Sequence, residues 1–189
     1  KWSADNAMLY SKAVEIVAGK TVTVGATTMI ILVGKPGPAG GLVFYDKGSY
    51  SDGWRFLEAA PTNQSDGIQW YNGSNVDVRT ATSIGSGKAN TAAIIAAQGK
   101  GSYAAAICDS LVIGDYDDWF LPSKDELDLM YKNLKEAGLG GFWGVWHWSS
   151  SQDNPYDYTG RAWVQEFSDG KQGSGFKNND GAVRAVRVF

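Results

Sequence analysis

Asp118-Trp119-Phe120-Leu121-Pro122-Ser123-Lys124-Asp125-Glu126-Leu127 states a strand end and a helix start within ten residues. Asp117 to Pro122 reads as a short apolar strand that proline stops. Ser123 and Glu126 then form a capping box, in which the serine hydroxyl accepts from the Glu126 N–H and the glutamate reaches back to the Ser123 N–H. Leu127, Met130, Tyr131 and Leu134 recur at helical spacing, and the glycines from Gly138 to Gly141 end the run.

Upstream, Lys88 to Gln98 reads as an alanine-rich helix with Ala92, Ile95 and Ala96 on one face. Gly99 and Gly101 stop it, and Tyr103 to Leu111 reads as a short second helix with Cys108 on its apolar side. Pro61 to Gly87 is rich in Gly, Asn and Ser and reads as loop. Before it, Leu42 to Asp46 is a short strand, Lys47 to Ser51 a turn, and Trp54 to Ala59 a strand with Trp54, Phe56 and Glu58 on one face. Downstream the pattern is β: Val145 to Ser150, Arg161 to Phe167, a turn at Ser168 to Lys171, a return over Lys171 to Lys177, and a last strand over Ala182 to Phe189. Strands, helices and strands segregated in this order predict an α+β domain.

Residues 1–34 read differently. Leu9 to Val17 and Lys20 to Met29 predict a hairpin around Ala18-Gly19-Lys20, with a helix over Ala4 to Val17 as the alternative, and the stretch resembles the tail of a small β-sandwich module of secreted bacterial proteins. Gly34-Lys35-Pro36-Gly37-Pro38-Ala39-Gly40-Gly41 marks a boundary, giving a short N-terminal β segment (1–34) and a domain (35–189). Lys1 in place of Met predicts a trimmed or mature product.

The chain has 189 residues, 17 Lys+Arg against 20 Asp+Glu, and a formal net charge of -3. With no Lys/Arg cluster, a nucleic-acid partner is not expected. The longest apolar run, Met29 to Val33, falls far short of the roughly 20 residues of a membrane helix, so membrane insertion is not expected. The 24 glycines are about twice the usual share, and 8 Trp, 9 Tyr and 7 Phe accompany them. Many turns and many large flat side chains suit a loop-rich, β-containing domain.

Cys108 is the single cysteine and His147 the single histidine. An internal disulfide, a thiolate cage and a multi-histidine metal site are therefore excluded, and any Ser-His-Asp or Cys-His chemistry would have to run through His147. Gly85-Ser86-Gly87 and Gly173-Ser174-Gly175 match a nucleophile elbow only in part. No enzyme is expected.

Several separated stretches resemble one family. Gly37 to Gly48 (GPAGGLVFYDKG) with Trp54 to Pro61 (WRFLEAAP) is similar to its opening, and Asp118 to Leu127 to its central signature. Trp148-Ser149-Ser150-Ser151, Ala162 to Phe167 (AWVQEF) and Val183 to Arg187 (VRAVR) resemble its ending. The family is that of the C-terminal domain of the Lcl collagen-like adhesin, and the resemblance covers about residues 35–189. It implies a C-type-lectin-like fold with two helices and a twisted antiparallel sheet, a place outside the cell or on the bacterial surface, and an association with sulfated glycans. Related folds also serve as display scaffolds diversified by retroelements. The chain lacks the disulfide cysteines of vertebrate C-type lectins, and Asp153-Asn154-Pro155 only faintly matches their calcium tripeptide, so no cofactor is expected and Ca²⁺ lacks a clear motif.

Candidate site residues follow from the C-terminal strands. By alternation His147 faces opposite to Trp146 and Trp148, and with Trp148 inward it points toward a ligand, able to donate to sugar hydroxyls. The serines after Trp148 read as turn-satisfying. Asp115, Asp117 and Asp118 read as a solvated turn. Gln152, Asp153, Asn154, Tyr156 and Tyr158 mix flat contact area with adaptable hydrogen bonding. Lys171, Lys177, Asn178, Asn179 and Arg184 lie close along the last strands as a modest basic patch, while Arg187 reads as structural. Trp146, Trp163 and the two tyrosines are the expected stacking faces. A shallow surface of this kind suits a glycan or a host or bacterial surface protein as partner, with avidity from a homo-oligomer or repeated copies. The alternatives are a protein-binding display scaffold and a structural spacer.

Overall fold

The computed structural model describes residues 33–153 and 160–189. The expected N-terminal β segment, apart from its last residues, lies outside them. The architecture is α+β with two sheets: β1 (Leu42–Ser51), β2 (Trp54–Ala59) and β8 (Val186–Val188) form the smaller, in the order β1-β2-β8. The larger has the order β3-β7-β4-β5-β6, built from β3 (Ser65–Ile68), β4 (Trp146–Asp153), β5 (Arg161–Glu166), β6 (Gln172–Phe176) and β7 (Gly181–Val183). Among the described residues three helices stand where the residue pattern puts them: α1 (Gly87–Gln98), α2 (Ala104–Asp109) and α3 (Lys124–Met130), the last continued by a π-turn through Tyr131–Lys135. The resemblance alone implied two helices. It also implied one antiparallel sheet, whereas β4 and β7 run parallel, with His147 opposite Ala182.

The capping box forms as read: Ser123 Oγ accepts from Glu126 N, and Glu126 Oε2 accepts from Ser123 N at 2.7 Å. Glu126 Oε1 also accepts from Gly85 N at 2.8 Å, which ties the loop before α1 to the start of α3. α1 buries Asn90, Thr91 and Ile94; of the expected face, Ile95 packs partly buried against the core while Ala92 and Ala96 are exposed. Polar groups decide its orientation, since Asn90 bridges both main-chain atoms of Ala81 and the Thr91 hydroxyl accepts from Leu121 N.

The glycine-rich connector belongs to the domain. Gly34 N donates to Val43 O, and the N–H groups of Ala39 and Gly41 converge on the buried carboxylate of Glu58. A Cβ on Gly37 would lie 2.3 Å from Glu58 Cδ, so the loop can wrap the carboxylate only with glycine there. Burial raises the Glu58 pKa, against the pull of those N–H bonds and of Arg187.

Ala182 to Phe189 is not one strand. It divides into β7 and β8 in different sheets, because the buried Arg184 guanidinium between them is held by Ala60 O, Gly140 O and Asn63 Oδ1. The two larger cores pack Trp70, Ile94, Tyr103, Trp119, Leu121 and Trp148 in one, and Phe44, Leu57, Leu127, Met130, Leu134 and Phe167 in the second. β4 lies between them and is buried on both faces along most of its length.

Candidate functional site

Trp148 donates its indole N–H to Ile68 O and is sealed in the first core, as expected. The serines after it sit in a bulge: the register to β5 slips between Trp148 and Gln152, which adds two residues to β4. Ser149 Oγ donates to Trp163 O and Ser151 Oγ to Ala81 O, and Ser150 N donates to Pro122 O. These hydroxyls are committed to main-chain partners.

His147 points away from solvent, contrary to expectation. A strand with one wet face would have exposed it, but the second face of β4 is covered by Phe142 and Phe167, whose rings lie 6.1 and 4.1 Å from the imidazole. Nδ1–H donates to Val145 O at 2.9 Å, which fixes the neutral tautomer, and burial depresses the pKa to about 4.

The expected basic patch also dissolves. Lys177 is buried, its ammonium donating to Gln152 Oε1 at 2.8 Å and Val76 O at 3.1 Å over the Trp70 ring; burial lowers its pKa to about 8. Gln152 is correspondingly structural, accepting also from Val78 N and donating to Asp77. Arg184 is 3% exposed. Asp118 is not a solvated turn residue, since it takes a two-point contact from Arg187, whose structural role holds. Trp163 lies on the face of β5 opposite to Trp146 and Trp148, under the Lys124 ammonium at 4.0 Å, so it shares no platform with Trp146. Asp153 ends β4 opposite Arg161. Asn154, Tyr156 and Tyr158 lie outside the described residues.

Trp146, Lys171 and Asn179 do come together. They line an open cleft of about 380 Å³ with Asp180, Val164 and the glycines of β6 and β7. Its floor exists because those positions carry no side chain. A Cβ on Gly173 would touch the Trp146 ring at 3.4 Å, one on Gly175 would lie 3.0 Å from Trp148, and one on Gly181 2.7 Å from the Trp148 nitrogen. Trp146 remains 39% exposed above this floor. Asn178, next to Asn179, is exposed but does not line the cleft; its carbonyl accepts from Gln69 Nε2.

A second cleft of about 240 Å³ is lined by Asn63, Asp66, Trp143 and Arg184. The sequence reading missed it, together with Asp180 and the glycine floor. The signal available for Trp143 was a large aromatic flanked by glycines in a loop, at Gly140-Gly141-Phe142-Trp143-Gly144. No group of three or more His, Cys, Asp or Glu side chains positioned to hold a metal ion occurs among the described residues, and no helix there is long and apolar enough to cross a membrane.

Residues 60–187 match the model of the Lcl C-terminal domain family. No curated protein matches the chain.

Proposed function

This chain is a member of the Lcl C-terminal domain family, and we propose that it is a lectin-like recognition domain that binds glycans at the Trp146 cleft without catalysis. Family membership supports an adhesin-type, surface-associated role. The α+β order supports a C-type-lectin-like reading, since the first and last strands, β1 and β8, flank β2 in one sheet.

The observation that carries the proposal is the exposed Trp146 ring over a floor of glycines, rimmed by Lys171, Asn179 and Asp180. A flat indole face presents apolar area to sugar C–H groups, and the rim supplies an ammonium, an amide and a carboxylate for hydroxyls. Against catalysis stand the burial of His147, the burial of Cys108 with its thiol pKa raised by desolvation, and serine hydroxyls already bonded to carbonyls. One open cleft holds a sugar weakly, so copies linked on a surface or in a homo-oligomer would supply avidity of about 10²–10⁴.

A glycan array probed with wild type and Trp146→Ala, in Ca²⁺ and in chelator, tests this. Binding that the variant loses without a change in melting temperature supports the proposal; equal binding by both proteins removes the cleft from the site. A protein-binding scaffold is the second reading, favoured by the exposed apolar side chains Leu139, Trp143, Val145 and Trp146, and it gives no glycan signal for either protein.

A further inference from the structure

The second cleft is built over a buried cation that has no ionic partner. Arg184 is almost wholly buried and lines the cleft, yet it forms no ion pair among the described residues. Arg187, equally buried, shows the usual arrangement, with carboxylates of Glu58 and Asp118 against it. Arg184 is bonded to neutral groups instead. Its Nε donates to Asn63 Oδ1 at 2.8 Å, and NH1 donates to Ala60 O at 3.0 Å and Gly140 O at 3.1 Å. The remaining nitrogen, NH2, donates to none of the described residues. It is also absent from the sealed, partnerless side-chain atoms, which among the described residues are His147 Nε2, Gln165 Oε1 and Ser174 Oγ. NH2 therefore reaches solvent, and the cleft is the opening that Arg184 lines. Burial lowers the Arg184 pKa to about 10 against the pull of Asp66, so the charge is only partly compensated.

The Asn63 amide fixes a carboxylate beside this guanidinium. Its Oδ1 accepts from Arg184, and its Nδ2 donates to Asp66 Oδ1 at 2.9 Å. One amide thus holds the two charges apart as a spacer, while both line the same opening. Asp66 is exposed, and its Oδ2 has no hydrogen-bond partner among the described residues. The third element is aromatic. Gly140, at a φ of 78°, lets the loop turn Phe142 inward, its ring 4.2 Å from the Arg184 guanidinium, and a Cβ there would lie 2.3 Å from that ring. The next residue, Trp143, is 74% exposed and lines the cleft. A donor with positive charge, an acceptor with negative charge and an apolar face meet in one opening.

We propose that the second cleft is a separate binding site for a free α-amino acid with an apolar side chain. The ligand carboxylate takes the unbonded NH2 of Arg184, the ammonium donates to Asp66 Oδ2, and the side chain covers the Trp143 ring. A ligand with negative charge alone would meet Asp66 without a compensating cation, and a neutral ligand would leave the guanidinium as unpaired as before. The volume of about 240 Å³ lies below the range of drug-sized pockets and suits a molecule of this size. The site shares no lining residue with the Trp146 cleft, so it stands or falls independently of glycan binding there.

The test titrates the whole 189-residue chain, isotope-labelled, with L-leucine and L-phenylalanine. Beside them stand their amides, which lack the carboxylate, and their N-acetyl forms, which lack the ammonium. The indole N–H signal of Trp143, assigned by its loss in Trp143→Phe, and the main-chain N–H signals of Gly140 and Gly141 report binding. Both free amino acids should shift these signals to saturation, and the amides and N-acetyl forms should bind at least about tenfold more weakly. The amides probe the Arg184 contact without altering a buried side chain. Asp66→Asn, whose amide oxygen still accepts from Asn63, should weaken the free amino acids about tenfold and leave the N-acetyl forms unchanged. That split separates a contact to the ammonium from a general disturbance of the fold. The proposal is overturned if neither free amino acid gives a saturable shift, or if the amides or N-acetyl forms bind as tightly as their parents. Equal losses for free and N-acetyl forms in Asp66→Asn overturn it as well.

Discussion

The indole nitrogen of Trp148 occupies the space that any side chain on Gly181 would need, with a Cβ there lying 2.7 Å away. The same nitrogen donates to Ile68 O, so the ring cannot retreat without breaking a buried hydrogen bond. Gly181→Ala should therefore destabilise the domain by about 1–3 kcal/mol. Gly67→Ala, whose new Cβ meets only an ordinary contact at 3.7 Å, should stay within about 0.5 kcal/mol. Urea denaturation of the two variants checks this, and equal midpoints would mean that the glycine floor does not depend on Trp148.

Arg187 ties the last strand, β8, to Glu58 of β2 and to Asp118 before α3. It contacts Asp118 through Nε at 2.7 Å and NH2 at 3.0 Å, and Glu58 through NH1 at 3.3 Å, while lying over the Tyr116 ring. Arg187→Met leaves the buried Glu58 carboxylate without its cation and should cost about 3–5 kcal/mol. Adding Glu58→Gln should recover part of that loss, because the amide oxygen still accepts from Ala39 and Gly41 and no charge is left buried. A double-mutant cycle in urea measures the coupling; strictly additive losses would contradict it.

His147 makes stability depend on acid. Its folded pKa of about 4 lies below the ordinary value of 6.5, so between these pH values the unfolded chain binds a proton that the folded chain refuses. Stability should fall as pH drops through that window, by up to about 3 kcal/mol from this residue. His147→Asn retains a donor for Val145 O but does not titrate, so its stability deficit against wild type should narrow between pH 7 and pH 4. A constant deficit across that range would show that the imidazole is not the sensor.

What the sequence made legible is what short segments decide alone. The Ser123–Glu126 box needs only four residues, and both of its hydrogen bonds form. The placing of Trp148 in the core and the constraint on the serines followed from strand and turn chemistry, although the bulge that uses them did not. His147 was misread because period two says which residues share a face but not whether the other face is wet, and here Phe142 and Phe167 cover it. Lys177 misled because a long side chain can bury its ammonium against partners far along the chain, here Gln152 and Val76. Trp146 and Trp163 were paired in the expectation, though only the register of β4 on β5 could show that they lie on opposite faces. The Trp146 cleft was half legible, its ring and the rim residues Lys171 and Asn179 from residue type, but Asp180 and the glycine floor only from the fold.

Indole N–H resonances followed by NMR during titration with the oligosaccharide that binds best give the most direct test of the site. The signal assigned to Trp146 by its loss in Trp146→Phe should move and saturate with the ligand, while the buried Trp70, bonded to Ser149 O away from the cleft, stays fixed. A Trp146 signal that stays still at saturating ligand would contradict the assignment of the cleft.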